Sequence, residues 1–502
     1  MIDPPPQTPE LAAPESPGPV PAVNVAPATP RKGWSRIAWL GIVLAVTGIA
    51  AVRNWPTSDQ TDAHDERLGL IVLEMQCRYL VGAHALLGGL GGPAAGLYEQ
   101  AATLNRGSVD QRLRFIAIAG EMANPAEALK KLSEFDNACR TANVSLTDSQ
   151  RRVRAALGRL YQDYKRGDVE AASVAPVERR LLEDELGWFG KLALLPRNTA
   201  DTDGRDAVLT VALRTFLVII SAAVVGVLAL LAGFVGLVFF VFWASLGHVS
   251  FRLTTGSDWG GIYAETFALW LIGYVGMNLA VGWLSIQLLP DLWQSGLLML
   301  LSIAVLAWPL LRGVSFRQLR ADIGWTCGNP FAEIASGIAC YLINLPIVFV
   351  GVIITIVLLL TQGALPGAAG GDDFSSPASP AHPIVRFIAE ADWTSRLQIY
   401  LIACVLAPIV EETMFRGLLY RHCRELTARV GRLGSAAFST VVVSLIFAAI
   451  HPQGLVAIPP LMFMAFGFSL AREWRSSLLP CMFAHGMSNG IVTTVAMIAL
   501  GS

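Results

Sequence analysis

"AVLTVALRTFLVIISAAVVGVLALLAGFVGLVFFVFWA" runs from Ala207 to Ala244, and Arg214 is the one charged side chain in it. A bilayer crossing needs about 20 apolar residues, so the run is too long for a single level crossing and short for two. It is either one oversized helix or a tight hairpin. The choice decides on which side of a membrane everything N-terminal to it lies.

The rest of the sequence confirms the membrane setting. The chain has 502 residues, 54% hydrophobic and 15% charged, against the ~25% charged of ordinary soluble domains. Further apolar runs at 37–52, 264–287, 295–312, 335–362, 396–420, 434–451, 455–471 and 477–499 read as spans. The fold expected is all-α: a polytopic transmembrane helical bundle. The net charge of −1 and the absence of a basic block exclude nucleic acid as a partner. Seven scattered cysteines without CxxC or Cys/His spacing indicate neither a zinc ribbon nor a disulfide framework. No internal repeat is evident, and "GGLGGPAAG" at Gly88–Gly96, with Pro93 inside it and no strand before it, reads as a helix-to-helix turn.

Charge resolves the long run. Arginines 317 and 320, then 421, 424, 429 and 432, then 472 and 475 fall in short loops between spans, which the positive-inside rule makes cytoplasmic. Alternating spans put all three loops on one side. Counting back, one long helix at 207–244 also places Arg31, Lys32 and Arg36 inside, whereas a hairpin would place them outside. One helix is therefore expected. The plasma membrane is the expected location, with a cytoplasmic N-terminus and an extracytoplasmic segment 54–206. The acidic, proline-rich loop 363–395 falls outside as well.

The chain then divides as follows. Residues 1–36 form a proline-rich tail, with ten prolines in the first 30 positions, too poor in large apolar side chains to fold. Residues 37–53 are an uncleaved anchor, since a 30-residue polar leader is long for a signal peptide. Residues 54–206 are a soluble helical domain, with helix starts at "ANPAEA" and "SLTDSQ". Its Cys77 and Cys139 read as buried thiols, a disulfide being the alternative in an oxidising compartment. Residues 207–311 add transmembrane helices, and 312–502 hold the chemistry. Glu265 reads as an interfacial residue favoured by a helix dipole, and Arg214 and Arg312 as snorkelling end-markers.

That chemistry begins at "EETMFR", Glu411–Arg416, inside a span. A carboxylate at the bilayer centre costs a few kcal/mol or more, so two in a row need a reason. Glu412 and Arg416 stand at i and i+4 in the favourable order and can pair. Glu411 points ~100° away, with no sequence-local partner. "FAAIH" sets His451 one turn beyond Phe447, and "HGMSN" sets His485 and Asn489 on one helix face. A lone membrane histidine is as well explained by a helix–helix hydrogen bond. Three such intrusions together suit peptide hydrolysis: a carboxylate takes the proton of a water, histidines hold a metal, and an amide supports the oxyanion. There is no HExxH, so a metal site has to be assembled from separate helices.

These motifs, EExxxR, FxxxH and HxxxN, resemble those of the CAAX-protease and bacteriocin-processing (CPBP, or Abi) membrane proteins, related to CAAX prenyl protease 2. The resemblance covers about Arg312–Leu500 and implies an intramembrane endopeptidase acting on a membrane-associated protein or peptide, a class that includes CAAX-like and lipidated chains. Carried over, Glu411 activates water with His451 beside it, and Glu412 and Arg416 brace the site. His485 and Asn489 bind metal or stabilise the oxyanion. The family is described both as metalloproteases, with zinc held here by His451 and His485, and as metal-free glutamate proteases. The N-terminal half lies outside the resemblance. The competing readings are a non-catalytic interaction or immunity protein that keeps the fold, and an ion or proton carrier. The second would use broken helices in repeated halves, which the sequence lacks.

Depth poses a problem for this site. Glu411 and His485 lie ~8–10 residues from the arginine-bearing ends of their spans, and His451 ~18 residues from its own, at ~1.5 Å per residue. The expectation is that "PQGLVAIPP", 452–460, re-enters the membrane and brings His451 to the shared level.

Overall fold

The computed structural model describes residues 33–53, 60–89, 95–169, 173–249, 252, 253, 259, 261–284, 289–361, 374, 387, 388 and 391–500. Residues 1–32 of the proline-rich tail, part of the Gly88–Gly96 turn and most of loop 363–395 lie outside the described residues. Among the described residues all regular structure is helical, and ten helices are long and apolar enough to cross a membrane. The chain is a polytopic helical membrane protein.

In order, α1 (Ser35–Arg53) is followed by the helices of the segment 54–206: α2 (Gln60–Gly89), α3 (Ala95–Ala102), α4 (Val109–Met122), α5 (Pro125–Thr141), α6 (Asp148–Arg166), α7 (Pro176–Leu186) and α8 (Trp188–Leu194). Their starts follow from local chemistry. Asn124 caps α5 ahead of Pro125, and Thr147 and Gln150 form a reciprocal capping box on α6. Residues such as Leu113, Ile116, Phe135, Leu157 and Phe189 close a single core, in which Cys77 and Cys139 are separate, buried, free thiols. Helix α2 is the tenth membrane-length helix, which the span reading of the sequence did not include. It buries Leu73, Cys77, Leu80 and Val81 in this same core.

The long run is one continuous helix, α9 (Thr202–Ser245). At ~1.5 Å per residue it is ~66 Å long, about twice the ~30 Å hydrocarbon layer. The excess is used at its first turns. Val208 and Ala212 lie in the soluble core, the Val208 carbonyl accepts from Trp188 Nε1 at 3.2 Å, and Gly82 of α2 lies flush against the Ala212 carbonyl. Further along, Thr215 donates to the carbonyl of Ala499 at 3.1 Å, and Gly233 abuts the Leu342 carbonyl. One helix thus belongs to both halves of the molecule. Arg214 does not snorkel outward: its Nε and one Nη are buried.

Behind α9 come α10 (Ile262–Trp283), α11 (Leu292–Leu311), the short amphipathic α12 (Phe316–Ile323), α13 (Pro330–Thr361), α14 (Trp393–Leu426), α15 (Arg432–Ile450), α16 (Ile458–Arg475) and α17 (Leu479–Leu500). Glycines let three of these approach closely. A Cβ at Gly351 of α13 would strike the Pro459 carbonyl at 2.8 Å, one at Gly467 of α16 would strike Asn344, and one at Gly337 would strike the Pro480 carbonyl.

Several side chains expected at the water interface are internal. Glu265 is buried and pairs with Arg312 at 2.6 Å, and it accepts from Trp308 Nε1 and the Trp34 backbone N–H. This fastens the start of α1 to α10 and α11. Arg421, Arg424 and Arg472 are buried too, held by Asp322 and Glu425, by Glu473, and by the Asp322 carbonyl respectively.

Candidate active site

Helix α14 carries the EExxxR motif in an unusual backbone. Its turns widen to π-helical geometry over Leu401–Leu406 and again over Thr413–Leu419, with Glu411 and Glu412 at the end of the normal segment between. Such π turns shift the phase of side chains and free carbonyls, and they recur at functional sites. One loosened carbonyl, Ala403, accepts from Asn489 Nδ2 at 2.7 Å. Gly486 makes that approach possible, because a Cβ there would lie 2.4 Å from the Cys404 carbonyl.

Around Glu412 the geometry is closed. Its Oε1 accepts from Arg416 Nη1 at 3.1 Å and from His485 Nδ1 at 2.8 Å, and Glu412 and Arg416 are completely inaccessible. Arg416 also donates to the Ala465 carbonyl at 3.1 Å. Its guanidinium lies 4.7 Å from the ring centre of Phe447 and 5.1 Å from that of Phe468. Phe468 in turn stacks on His485, centroids 5.1 Å apart and planes 17° from parallel. The phenylalanine of FxxxH therefore covers the brace rather than standing apart from it. Phe468 and Ala465 of α16 belong to no quoted motif. Their only sequence sign is a helix flanked by motif helices.

Around Glu411 it is open. Its side chain is 20% exposed, and His451 Nε2 and His485 Nε2 each lie 4.0 Å from its Oε2. That oxygen is buried and has no hydrogen-bond partner. His451 Nδ1 donates to the Phe447 carbonyl at 2.6 Å, and His485 Nδ1 to Glu412, because each acceptor is an oxygen without a proton. The Nε2 atoms are thereby the ones turned toward Glu411. Asn489 sits one turn beyond His485, with an N–H committed to Ala403.

Helix ends bear on the depth of the three site residues. His451 ends α15 as its cap residue, and residues 452–457 make a turn and a short 3-10 segment. Val456 of this stretch accepts from Thr355 of α13 at 2.6 Å. Helix α14 runs past Arg421 to Leu426, which puts Glu411 ~22 Å from that end, while His451 lies ~28 Å from the start of α15 and His485 ~9 Å from the start of α17. The length of α14 therefore narrows the difference between Glu411 and His451, and the placement of α17 brings in His485.

Metal binding can be tested against these distances. Zinc held at ~2.0–2.1 Å by two atoms 4.0 Å apart would subtend roughly 150° between them, far from tetrahedral. Among the described residues no group of three His, Cys, Asp or Glu is arranged to hold a metal ion. A water ~2.8 Å from each of two atoms at that separation would subtend about 90°. Between Glu411 and either histidine, the separation suits a bridging water better than a tetrahedral zinc.

Residues 393–491 match the family model described as Type II CAAX prenyl endopeptidase Rce1-like. The match spans all three motifs and covers about a fifth of the chain, so this segment is similar to that family. No curated protein and no solved structure matches the chain.

Proposed function

We propose that the protein is an intramembrane endopeptidase that hydrolyses a peptide bond in a membrane-associated protein or peptide, lipidated CAAX-like chains included, with Glu411 as the base. One observation carries this reading: a buried carboxylate oxygen without a donor, facing two imidazole nitrogens at a spacing that suits a water. Water placed there gives a proton to Glu411 as its oxygen attacks the scissile carbonyl. His451 shares the hold on that water. His485 acts as the imidazolium, its second proton taken from bulk water before the substrate binds, and donates from Nε2 to the developing oxyanion, with Glu412 and Arg416 fixing its ring. Asn489 has a second amide N–H for the same oxyanion. Glu411 then returns the proton to the leaving amine.

Such chemistry needs no zinc, and zinc at His451 and His485 stands as the outcome that would replace it. Purified protein assayed for bound metal and for cleavage after chelation decides between them: stoichiometric zinc, lost together with activity, would overturn the glutamate reading. The substrate test compares the membrane proteome of cells carrying the native protein with that of cells carrying Glu411→Ala. Uncleaved species should accumulate only in the variant.

We also infer a cytoplasmic N-terminus in the plasma membrane, with residues 54–206 outside. The arginine distribution supports this, and Phe374 of loop 363–395 packs on the soluble core, as a loop on the same side must. An impermeant thiol reagent should label a cysteine introduced in 54–206, and should reach one between Arg421 and Arg432 only after the inner membrane is lysed.

A further inference from the structure

Phe374 stands alone in its stretch of chain. Between Leu365 and Ile384 it is the single large apolar side chain, in "GGDDFSSPAS". It lies far in sequence from the soluble domain, yet it packs against that domain's core. Its ring meets Phe135 of α5 edge-on, centroids 6.3 Å apart at 73°. The guanidinium of Arg112, from the first turn of α4, lies 4.2 Å from the centre of its ring.

The receiving residues are built in place. Phe135 is 4% exposed and Arg112 is 7% exposed. Arg112 Nε donates to the Gly107 carbonyl at 3.2 Å, on the turn that Ser108 caps with its reciprocal bonds to Gln111. That holds the guanidinium through a contact that does not involve Phe374. An edge-on aromatic and a cation over the ring face both favour an aromatic guest over an aliphatic one of equal area. One aromatic residue between small and acidic neighbours is the pattern of an anchor residue rather than of a core-forming segment.

We propose that Arg112 and Phe135 form an aromatic-binding site whose occupant is the chain's own segment around Phe374, and which, once vacated, takes up that same segment in trans. Phe374 lies between the end of α13 at Thr361 and the start of α14 at Trp393, so its seating ties the soluble domain to the helix that carries Glu411. A tethered guest has a high effective concentration and keeps the site filled in the native chain. This inference stands independently of the protease reading.

The test uses the full-length protein in detergent and a fluorescent peptide of residues 369–379. Phe374→Ala protein should bind the peptide at least tenfold more tightly than the wild type does. The same peptide with leucine in place of its phenylalanine should bind at least fivefold more weakly, and adding Arg112→Gln to Phe374→Ala should abolish binding. Equal binding by wild type and Phe374→Ala, no binding by Phe374→Ala, or a leucine peptide as good as the native one would overturn the proposal. Benzoylphenylalanine placed at position 374 gives a check free of folding effects. Its crosslinks should fall in the stretch holding Arg112 and Phe135, and crosslinks elsewhere would overturn the site.

Discussion

Two carboxylates buried in the same helical bundle differ in how they are satisfied. Asp322 Oδ2 accepts from Tyr263 at 2.6 Å and from Trp259 Nε1 at 2.9 Å, while Oδ1 accepts from Gln318 Nε2 at 2.9 Å and pairs with Arg421 at 3.1 Å. Each of its oxygens has two donors. Glu411 has a buried oxygen with none, and its nearest nitrogens stand off at 4.0 Å. A buried acceptor left without a donor costs about 1–3 kcal/mol, more when charged. Asp322 is spent on holding α10, α12 and α14 together. Glu411 keeps its capacity for something the folded chain does not supply.

The largest effect expected follows from that contrast. Glu411→Gln should reduce cleavage by at least about 10²–10⁴-fold, the usual contribution of a general base, while the melting midpoint holds or rises because no native donor is lost. Asp322→Asn should do the opposite: it leaves Arg421 paired with Glu425 and disturbs the bonds from Tyr263, Trp259 and Gln318, with a loss of about 1–3 kcal/mol, yet the protein that remains folded keeps most of its turnover per molecule. Melting curves and turnover for both variants break the comparison if Glu411→Gln unfolds early or Asp322→Asn folds normally and is inactive.

Glu412 lies between the two cases, since it is enclosed like Asp322 but bonded to a site histidine. Glu412→Gln and Arg416→Gln should each lose about 3–5 kcal/mol of stability, and the double variant should regain part of it because no lone charge remains. Activity should not return with the stability, as His485 has lost the carboxylate that oriented it. A double variant that recovers both would reduce Glu412 to a purely structural brace.

Much of this was legible in the chain. The helical class, the single long α9 and the Glu412–Arg416 pair follow from apolar run length, arginine distribution and i,i+4 spacing. The convergence of His451 and His485 on Glu411 was expected from motifs, but its mechanics were not. Local spacing cannot reveal that α14 continues beyond Arg421, because Arg421, Arg424 and Arg472 look like loop charges until Asp322, Glu425 and Glu473 come to meet them. Glu265 was misread for the same reason, its partner Arg312 lying on another helix. The π turns of α14 leave no sign in composition, and Phe468 looks like any apolar residue of a span.

Phe468 gives the smallest and most specific effect. It touches neither Glu411 nor His451 in the contacts described above, but its face lies parallel to His485 and its other neighbour is Arg416. Leucine would keep most of the apolar volume and lose the flat surface that holds the imidazole plane. Aromatic pairing adds about 0.5–1.5 kcal/mol beyond buried area, which as transition-state stabilisation is roughly a 2- to 12-fold change in rate. Phe468→Leu should therefore lower kcat by that factor and leave KM unchanged, since the ring orients a group and binds no substrate. Phe463, on the same helix but paired with Phe466 at 5.3 Å, supplies the control: Phe463→Leu should leave kcat as it was. If both variants lose activity alike, the effect belongs to the packing of α16 as a whole, and His485 needs no aromatic platform.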